Sequence, residues 1–514
     1  MSDELPAPLP RGGAAVGGVS APALAVRSRG WLTASIMLAT IMQVLDTTIA
    51  NVALPHMAAS LGATQEEITW VLTSYIVASA IATPLTGFVA DRMGRRQVFA
   101  AAILGFTLAS LACGVATSLP EMVAFRIAQG VFGAVLIPLA QAVLLDINPR
   151  ERVGQAMAIY GAGIMVGPII GPTLGGYLTE TFDWRYVFLI NLPVGAMALA
   201  GILAFMPREA TKHRRFDIQG FAMLALAVGS LQLILDRGGA VDWFQSAEIW
   251  IYTGLAISGL WAFVIHSLGA EDPFVDLRMF RDRNLVMGLL FIFIIGMTLF
   301  SGLALLPPLL QNLMGYPVIE TGLVMAPRGV GTMLSMILVG RLVARYDPRL
   351  LVTFGLVMTA WSLWIMTGFS PQMDAHLIIW SGVMQGFGLG FVFVPLSTLT
   401  FATIGPQYRA DATSMFSLVR NVGSGVGISL VTAVLSRMMT VNHEEIASTL
   451  TAGSTQVHVQ MPQLLSGQPL FAKMADMLVQ QQAAMIAYVD NFLLMMVLTL
   501  AVFPIVLLLR RPAR

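Results

Sequence analysis

The 514-residue sequence is short of charge. Asp, Glu, Lys and Arg together make 11% of it, against about 25% in soluble domains. A soluble chain with so few charges could not cover its surface with polar groups. Lysine is nearly missing: only Lys212 and Lys473 occur, and neither follows a glycine. That excludes the Gly-Lys-Ser/Thr loop that cradles ATP phosphates. A single cysteine, Cys113, excludes an internal disulfide. The net charge of +1 gives no electrostatic reason to expect a nucleic-acid partner. No His-Glu-x-x-His occurs, and the six histidines are scattered over helix ends and loops. No metal site, cofactor or nucleophile–base pair follows, so an enzyme is not expected.

What the chain has instead is apolar sequence, 56% of it, in long blocks such as Val286 to Leu306 and Phe492 to Leu509. A spanning helix needs about 20 apolar residues. Lipid offers the backbone no hydrogen bonds, so blocks of this length must be helical. Fourteen spans are expected, at 31–54, 67–90, 98–117, 122–145, 153–178, 186–206, 217–236, 248–268, 285–311, 319–344, 350–369, 376–400, 411–436 and 488–510. Residues 1–30, rich in Pro, Gly and Ala, read as a flexible cytoplasmic tail, and the first block reads as a retained helix.

Loop charge tests the count, because cytoplasmic loops carry the Lys and Arg. With the N-terminus inside, the inner loops hold Arg92, Arg95 and Arg96; Arg150 and Arg152; Arg208, Lys212, Arg214 and Arg215; Arg278, Arg281 and Arg283; Arg345 and Arg349; Arg409; and Arg510, Arg511 and Arg514. The outer loops hold Arg185, Arg237, Arg437 and Lys473. One missed span would invert every later loop. The bias lasts to the C-terminus, which supports an even count with both ends in the cytoplasm.

Two segments recur about 250 residues apart. AQGVFGAVLIPL (Ala128 to Leu139) returns as MQGFGLGFVFVPL (Met384 to Leu396), and ALPHMAASLGATQEE (Ala53 to Glu67) resembles LLPPLLQNLMGYPVIE (Leu305 to Glu320). Duplicated halves around a midplane site are a plan of secondary transporters. The reading is a six-helix half over 31–206, two linking helices over 207–284, and a six-helix half over 285–510. An extracytoplasmic loop at 437–487 interrupts the second half. Its HEEIASTL and FAKMADMLVQQQAAM stretches could form amphipathic helices, giving either a solvated excursion or a docking site for a partner.

Charges inside spans mark candidate sites. Asp46 stands in the middle of the first span, where a charge costs about 2.5–3.5 kcal/mol or more. A carboxyl in hydrocarbon favours its neutral form, so Asp46 could bind and release a proton, or simply bond to a neighbouring helix. Arg126, Arg328 and Arg420 should each face a cavity or an acidic partner. Asn51, Gln129, Gln385 and Asn421 are further polar candidates for a cavity. Gly163, Gly167, Gly171 and Gly175 recur every four residues and share one face, a bare stripe that admits another helix closely. Pro168, Pro172 and Gly176 lie in the same stretch. The stripe is either a static packing face or a pliable seam between moving halves. In the loop GFVADRMGRR, Gly87 and Gly94 permit tight backbone. Asp91 among Arg92, Arg95 and Arg96 suggests a charge-pair latch between the halves.

Four motifs resemble those of the major facilitator superfamily, within it the fourteen-helix drug:proton antiporters of the EmrB/QacA type. LDTTIANVALP (Leu45 to Pro55) is similar to the first-helix signature of that branch. GFVADRMGRR (Gly87 to Arg96) is similar to the loop 2–3 motif, with Val89 where leucine is common. RIAQGVFGA (Arg126 to Ala134) is similar to the fourth-helix motif, whose arginine is linked to proton coupling. GAGIMVGPIIGPTLGG (Gly161 to Gly176) is similar to the antiporter motif of the fifth helix. The resemblance runs over about 31–510. The superfamily is itself an example of the duplicated-half plan, so the two lines are not independent. The resemblance implies an all-α inner-membrane protein that exports small amphiphilic molecules against protons by alternating access, with Asp46 and Arg126 in proton coupling. It also implies a periplasmic adaptor and an outer-membrane channel as partners. A dedicated exporter of one metabolite is the alternative, and a polytopic membrane enzyme a more distant one. The second-half copy of the loop motif, GRLVARYDPR (Gly340 to Arg349), has Ala344 where Asp91 stands, so no latch is assigned there.

Overall fold

The computed structural model describes residues 26, 28–64, 67–149, 152–208, 216–449 and 469–509. Most of the 1–30 tail lies outside these residues. So do Arg150, Lys212, Arg214, Arg215, Arg510, Arg511, Arg514 and the 450–468 stretch. The described residues form helices and no strand. Thirteen helices are long and apolar enough to cross a membrane, and one bent pair makes fourteen. In chain order these are α1 (Arg29–Leu61), α2 (Glu67–Ala82 with Leu85–Met93), α3 (Arg95–Val115), α4 (Leu119–Ile147), α5 (Val153–Thr181), α6 (Tyr186–Phe205) and α7 (Ile218–Arg237). Then follow α8 (Ala247–Gly269), α9 (Arg283–Leu313), α10 (Val318–Leu342), α11 (Pro348–Met366), α12 (Ala375–Phe401), α13 (Arg409–Thr449) and α14 (Pro469–Ala501, continued by Phe503–Leu508).

Proline marks the interruptions. The two pieces of α2 meet at 58° beside Pro84. α4 is interrupted between Gly133 and Leu136, and α5 between Ile164 and Val166. Pro138 and Pro168 stand one turn later. Their missing N–H groups leave the carbonyls of Ala134 and Ile164 without helical donors.

The same pairings occur at both ends of the chain. α1 packs on α5 and α6, as α9 packs on α13 and α14. α2 packs on α4, as α10 packs on α12. α3 packs on α4 and α6, as α11 packs on α12 and α14. Across the middle, α5 meets α10, and α2 and α4 meet α13. α7 lies along that second contact, touching both α2 and α13. The Thr73 hydroxyl donates to Asp236, and the Ser429 hydroxyl donates to the Leu235 carbonyl at 2.5 Å. α8 packs on α7 through Gly259 and turns Trp250, Ile257, Trp261 and Leu268 outward, as a lipid-facing helix should.

Of the two readings of the α5 glycine stripe, the contacts favour a packing face within the first half over a seam between the halves. Gly163 faces Met37, Gly167 faces Val44, Gly171 faces Thr48 and Gly175 faces Ile49, so the stripe receives α1 of its own half. A stripe repeating every four residues occupies one face only, and the face meeting α10 carries Ala158, Gly161, Ile169 and Thr173 instead. There the room comes largely from Gly322, Gly329 and Gly340 on α10.

Within 437–487, the two stretches read as possible amphipathic helices are helical over their described residues. HEEIAST continues α13, which runs unbroken for 41 residues, and the FAKMADMLVQQQAAM stretch opens α14. A helix of that length spans about 60 Å, twice the hydrocarbon thickness of about 30 Å. His443 and Asp476 tie the two extensions together at 2.9 Å.

Candidate functional site

Asp46 and Arg126 are 1% and 0% exposed. Arg126 Nη1 donates to Asp46 Oδ2 at 2.7 Å and to Gln129 Oε1 at 2.7 Å. The other carboxylate oxygen accepts from Gln129 Nε2 and from Asn191 Nδ2, both at 2.8 Å. Asn191 also donates to the Ser110 hydroxyl at 2.9 Å. Arg126 Nε donates to the Val71 carbonyl at 3.0 Å, and the guanidinium lies over the Tyr75 ring at 4.3 Å. Five helices, α1, α2, α3, α4 and α6, thus converge on one ion pair. Removing one partner of a fully buried pair leaves an uncompensated charge, worth about 3–5 kcal/mol.

Beside this cluster lies a cavity of about 1590 Å³. Gln43, Thr47 and Arg126 form its wall in the first half, with Asp46 immediately behind. Asn51, Pro168 and Pro172 also line it, as do Arg328, Arg420 and Asn421 across the cavity. It reaches Gln311, Arg437 and the α7–α8 turn, all at span ends that loop charge places outside. That turn carries Asp242 and Trp243 at φ 56° and 53°, an uncommon conformation for residues with a Cβ. Gln129 and Gln385 do not line the cavity: Gln129 belongs to the Asp46 cluster, and Gln385 is buried within the α12 packing.

The inner ends are closed. Arg95 of α3 and Arg409 of α13 both donate to Asp146, at the end of α4. The Ser414 hydroxyl donates to the Thr83 carbonyl at 2.7 Å. Gly87 stands against Asp411 so closely that a Cβ there would overlap the carboxylate. Gly94, at φ 83°, makes the turn from α2 into α3. Arg96 donates to the Leu203 carbonyl, and Arg92 lies 6.0 Å from the centre of the Phe88 ring. Asp146, near the end of α4, thus joins the first half to α13 through Arg409.

The sequence over 36–428 matches the model of the Major Facilitator Superfamily. The chain belongs to this superfamily. Among its relatives, the multidrug export protein EmrB of Escherichia coli K12 is 37% identical over 436 residues, 84% of this chain and 85% of that protein. The fatty acid resistance protein FarB of Neisseria gonorrhoeae is 36% identical over 503 residues, 96% of this chain and 98% of that protein. Among solved structures, the proton:xylose symporter XylE aligns with TM-score 0.59 at 14% identity over 91% of this chain and 94% of its own. The human organic anion transporter MFSD10 aligns with TM-score 0.57 at 15% identity over 91% and 99%. At that identity the structures show the shared fold. A multi-pass inner-membrane protein with the major facilitator fold follows.

Within that superfamily fold, the candidate residues that the sequence does not single out are Asn191, Ser110 and Tyr75 around the ion pair, and Asp146, Asp411 and Ser414 at the closed inner ends. Isolated polar residues in apolar spans carry no spacing that ties them to Asp46. Asp146 falls where a span ends, as an ordinary interfacial acid would.

Proposed function

We propose that the protein exports small amphiphilic molecules by proton antiport, two six-helix halves alternating around the cavity. The observation that carries this reading is the Asp46–Arg126 pair set into the cavity wall while the inner ends are closed. In this outward-facing arrangement a proton arriving through the cavity can reach Asp46 past Gln43 and Thr47. Protonation neutralises the carboxylate, frees the Arg126 guanidinium, and changes the charge that a bound substrate meets. The halves then rock, Asp146 parts from Arg409, and the proton leaves on the inner side. One charge moved through 100 mV supplies about 2.3 kcal/mol.

The cavity exceeds the roughly 300–1,000 Å³ of ordinary ligand pockets, which favours a broad range of substrates over one dedicated metabolite. EmrB is named as a multidrug exporter and FarB as a fatty acid resistance protein, and both names accord with amphiphilic cargo. The helical extensions of α13 and α14 outside the membrane are proposed as the docking element for a periplasmic adaptor, which would pass substrate to an outer-membrane channel.

The test is efflux of a fluorescent amphiphile from vesicles under an imposed pH difference. Asp46→Asn is expected to abolish the proton-driven component. Undiminished coupled efflux by this variant would remove Asp46 from the coupling role.

A further inference from the structure

The two halves treat their buried cations differently. Arg126 is neutralised by Asp46. Arg328 on α10 and Arg420 on α13 have no carboxylate partner among the described residues. Arg328 is 6% exposed and lines the cavity. Its one hydrogen bond is a long one, from Nη2 to the Leu299 carbonyl at 3.5 Å, and Nη1 is buried without a partner. Arg420 also lines the cavity. Its Nη2 reaches Asn421 Oδ1 at 3.4 Å, and its Nε is buried without a partner. A guanidinium offers five N–H donors, so most of the donors on these two side chains are unspent.

Both arginines stand on pinned backbone. A Cβ on Gly386 of α12 would overlap the Arg328 carbonyl, and one on Gly296 of α9 would come within 2.6 Å of the Arg420 carbonyl. Both arginines also border the same stretch of α9. The Arg328 head touches Leu299, and the Arg420 backbone sits at Gly296, one turn away. Both arginines thus line the cavity wall on backbone held by close helix packing. Ile295, Leu299, Phe300, Leu303 and Met325 line the wall around them. The acids in the lining, Asp236 and Asp242, lie at the outer mouth, where Asp236 is engaged by Thr73.

We infer that Arg328 and Arg420 form the seat for the head of an amphiphilic organic anion, a carboxylate or comparable group on an apolar body. The seat lies in the second half, across the cavity from the proton site. It rests on the reading of this cavity as the substrate site, and it narrows the cargo to anions. Unpaired, desolvated guanidinium donors gain most from a group that brings both negative charge and acceptor oxygens. A quaternary ammonium head would add a third charge of the same sign.

Binding tests this without any transport step. Radiolabelled dodecanoate is offered to the purified full-length protein in nanodiscs of phosphatidylcholine, with dodecyltrimethylammonium and dodecanol as competitors of equal chain length. Dodecanoate should bind saturably, and the ammonium compound should compete at least tenfold less well than unlabelled dodecanoate. Arg328→Gln and Arg420→Gln should each weaken dodecanoate binding about tenfold and change dodecanol binding less than twofold. Arg328→Lys and Arg420→Lys should recover most of the loss, which a merely structural role would not predict. Thermal unfolding identifies any variant that fails to fold, and the Lys variants then decide the outcome. Equal competition by the ammonium compound would overturn the inference, as would unchanged dodecanoate binding in folded Gln variants. Displacement of dodecanoate by phosphatidylglycerol as readily as by dodecanoate itself would assign the seat to a lipid head and overturn it too. None of these failures touches the Asp46 test, which reads proton coupling alone.

Discussion

Among single residues, Asp46 and Asp146 both belong to the first half, one buried at its centre and the other at its inner end. Asp46 is satisfied by three side chains and shielded from water. Asp46→Asn should therefore do more than stop coupling. It strands Arg126 in a dry site, and the thermal unfolding of the purified variant should reveal a loss of about 3–5 kcal/mol. Asp146 holds two arginines from two halves and is itself buried. Asp146→Asn leaves two mostly buried guanidinium groups without this carboxylate, so it should also cost about 3–5 kcal/mol, and it should bias the molecule toward inner opening. A cysteine placed at Ala410, with Cys113 replaced, should then react several-fold faster with a maleimide supplied from the cytoplasmic side. Unchanged labelling would acquit Asp146 of sealing. The sequence made Asp46 and Arg126 conspicuous because a charge in an apolar run has to be explained. It did not disclose Asn191 or Ser110. An amide or hydroxyl can sit in a helix with its own backbone as partner, so its presence announces no long-range bond.

Single helices show where the sequence was legible and where it was not. Each span was visible because about 20 apolar residues in a row admit one structure in lipid. The helical character of the α13 and α14 ends was legible too, but not that they continue the spans unbroken, because beyond the hydrocarbon an amphipathic stretch can continue a helix or leave it with equal ease. The glycines of α5 were visible as a face, but the sequence does not say which neighbour occupies it. Occupation by α1 makes a graded prediction. Gly171→Leu must displace Thr48 and part α1 from α5, and should lower both folded yield and efflux in vesicles severalfold. Gly176→Ala, whose added Cβ would meet Val52 at 4.0 Å, should behave like the parent protein. Equal tolerance of both would show that the close contact of α1 with α5 is dispensable.

Across the whole molecule, the two flanks where the halves meet are built differently. Small residues of α5 and α10 form one of them. The other is spanned by α7, bonded to α2 on one side and α13 on the other. Removing 444–476 and splicing in a short Gly-Ser turn shortens the α13 and α14 extensions but keeps Gln481 and Met485, which hold the outer end of α9, and should leave proton-driven efflux in vesicles close to normal. If the extensions dock an adaptor, export from intact cells should fall sharply. Equal loss in both assays would instead mean that the extensions support the fold.

α13 starts at Arg409 in the inner seal, passes Arg420 in the cavity wall, and ends beyond the outer surface at Thr449 without a break. A rod about 60 Å long, pivoting at its base, carries its far tip roughly 1 Å sideways for each degree of tilt. An adaptor docked on that tip, as proposed, would sense which way the cavity faces without ever touching substrate or proton.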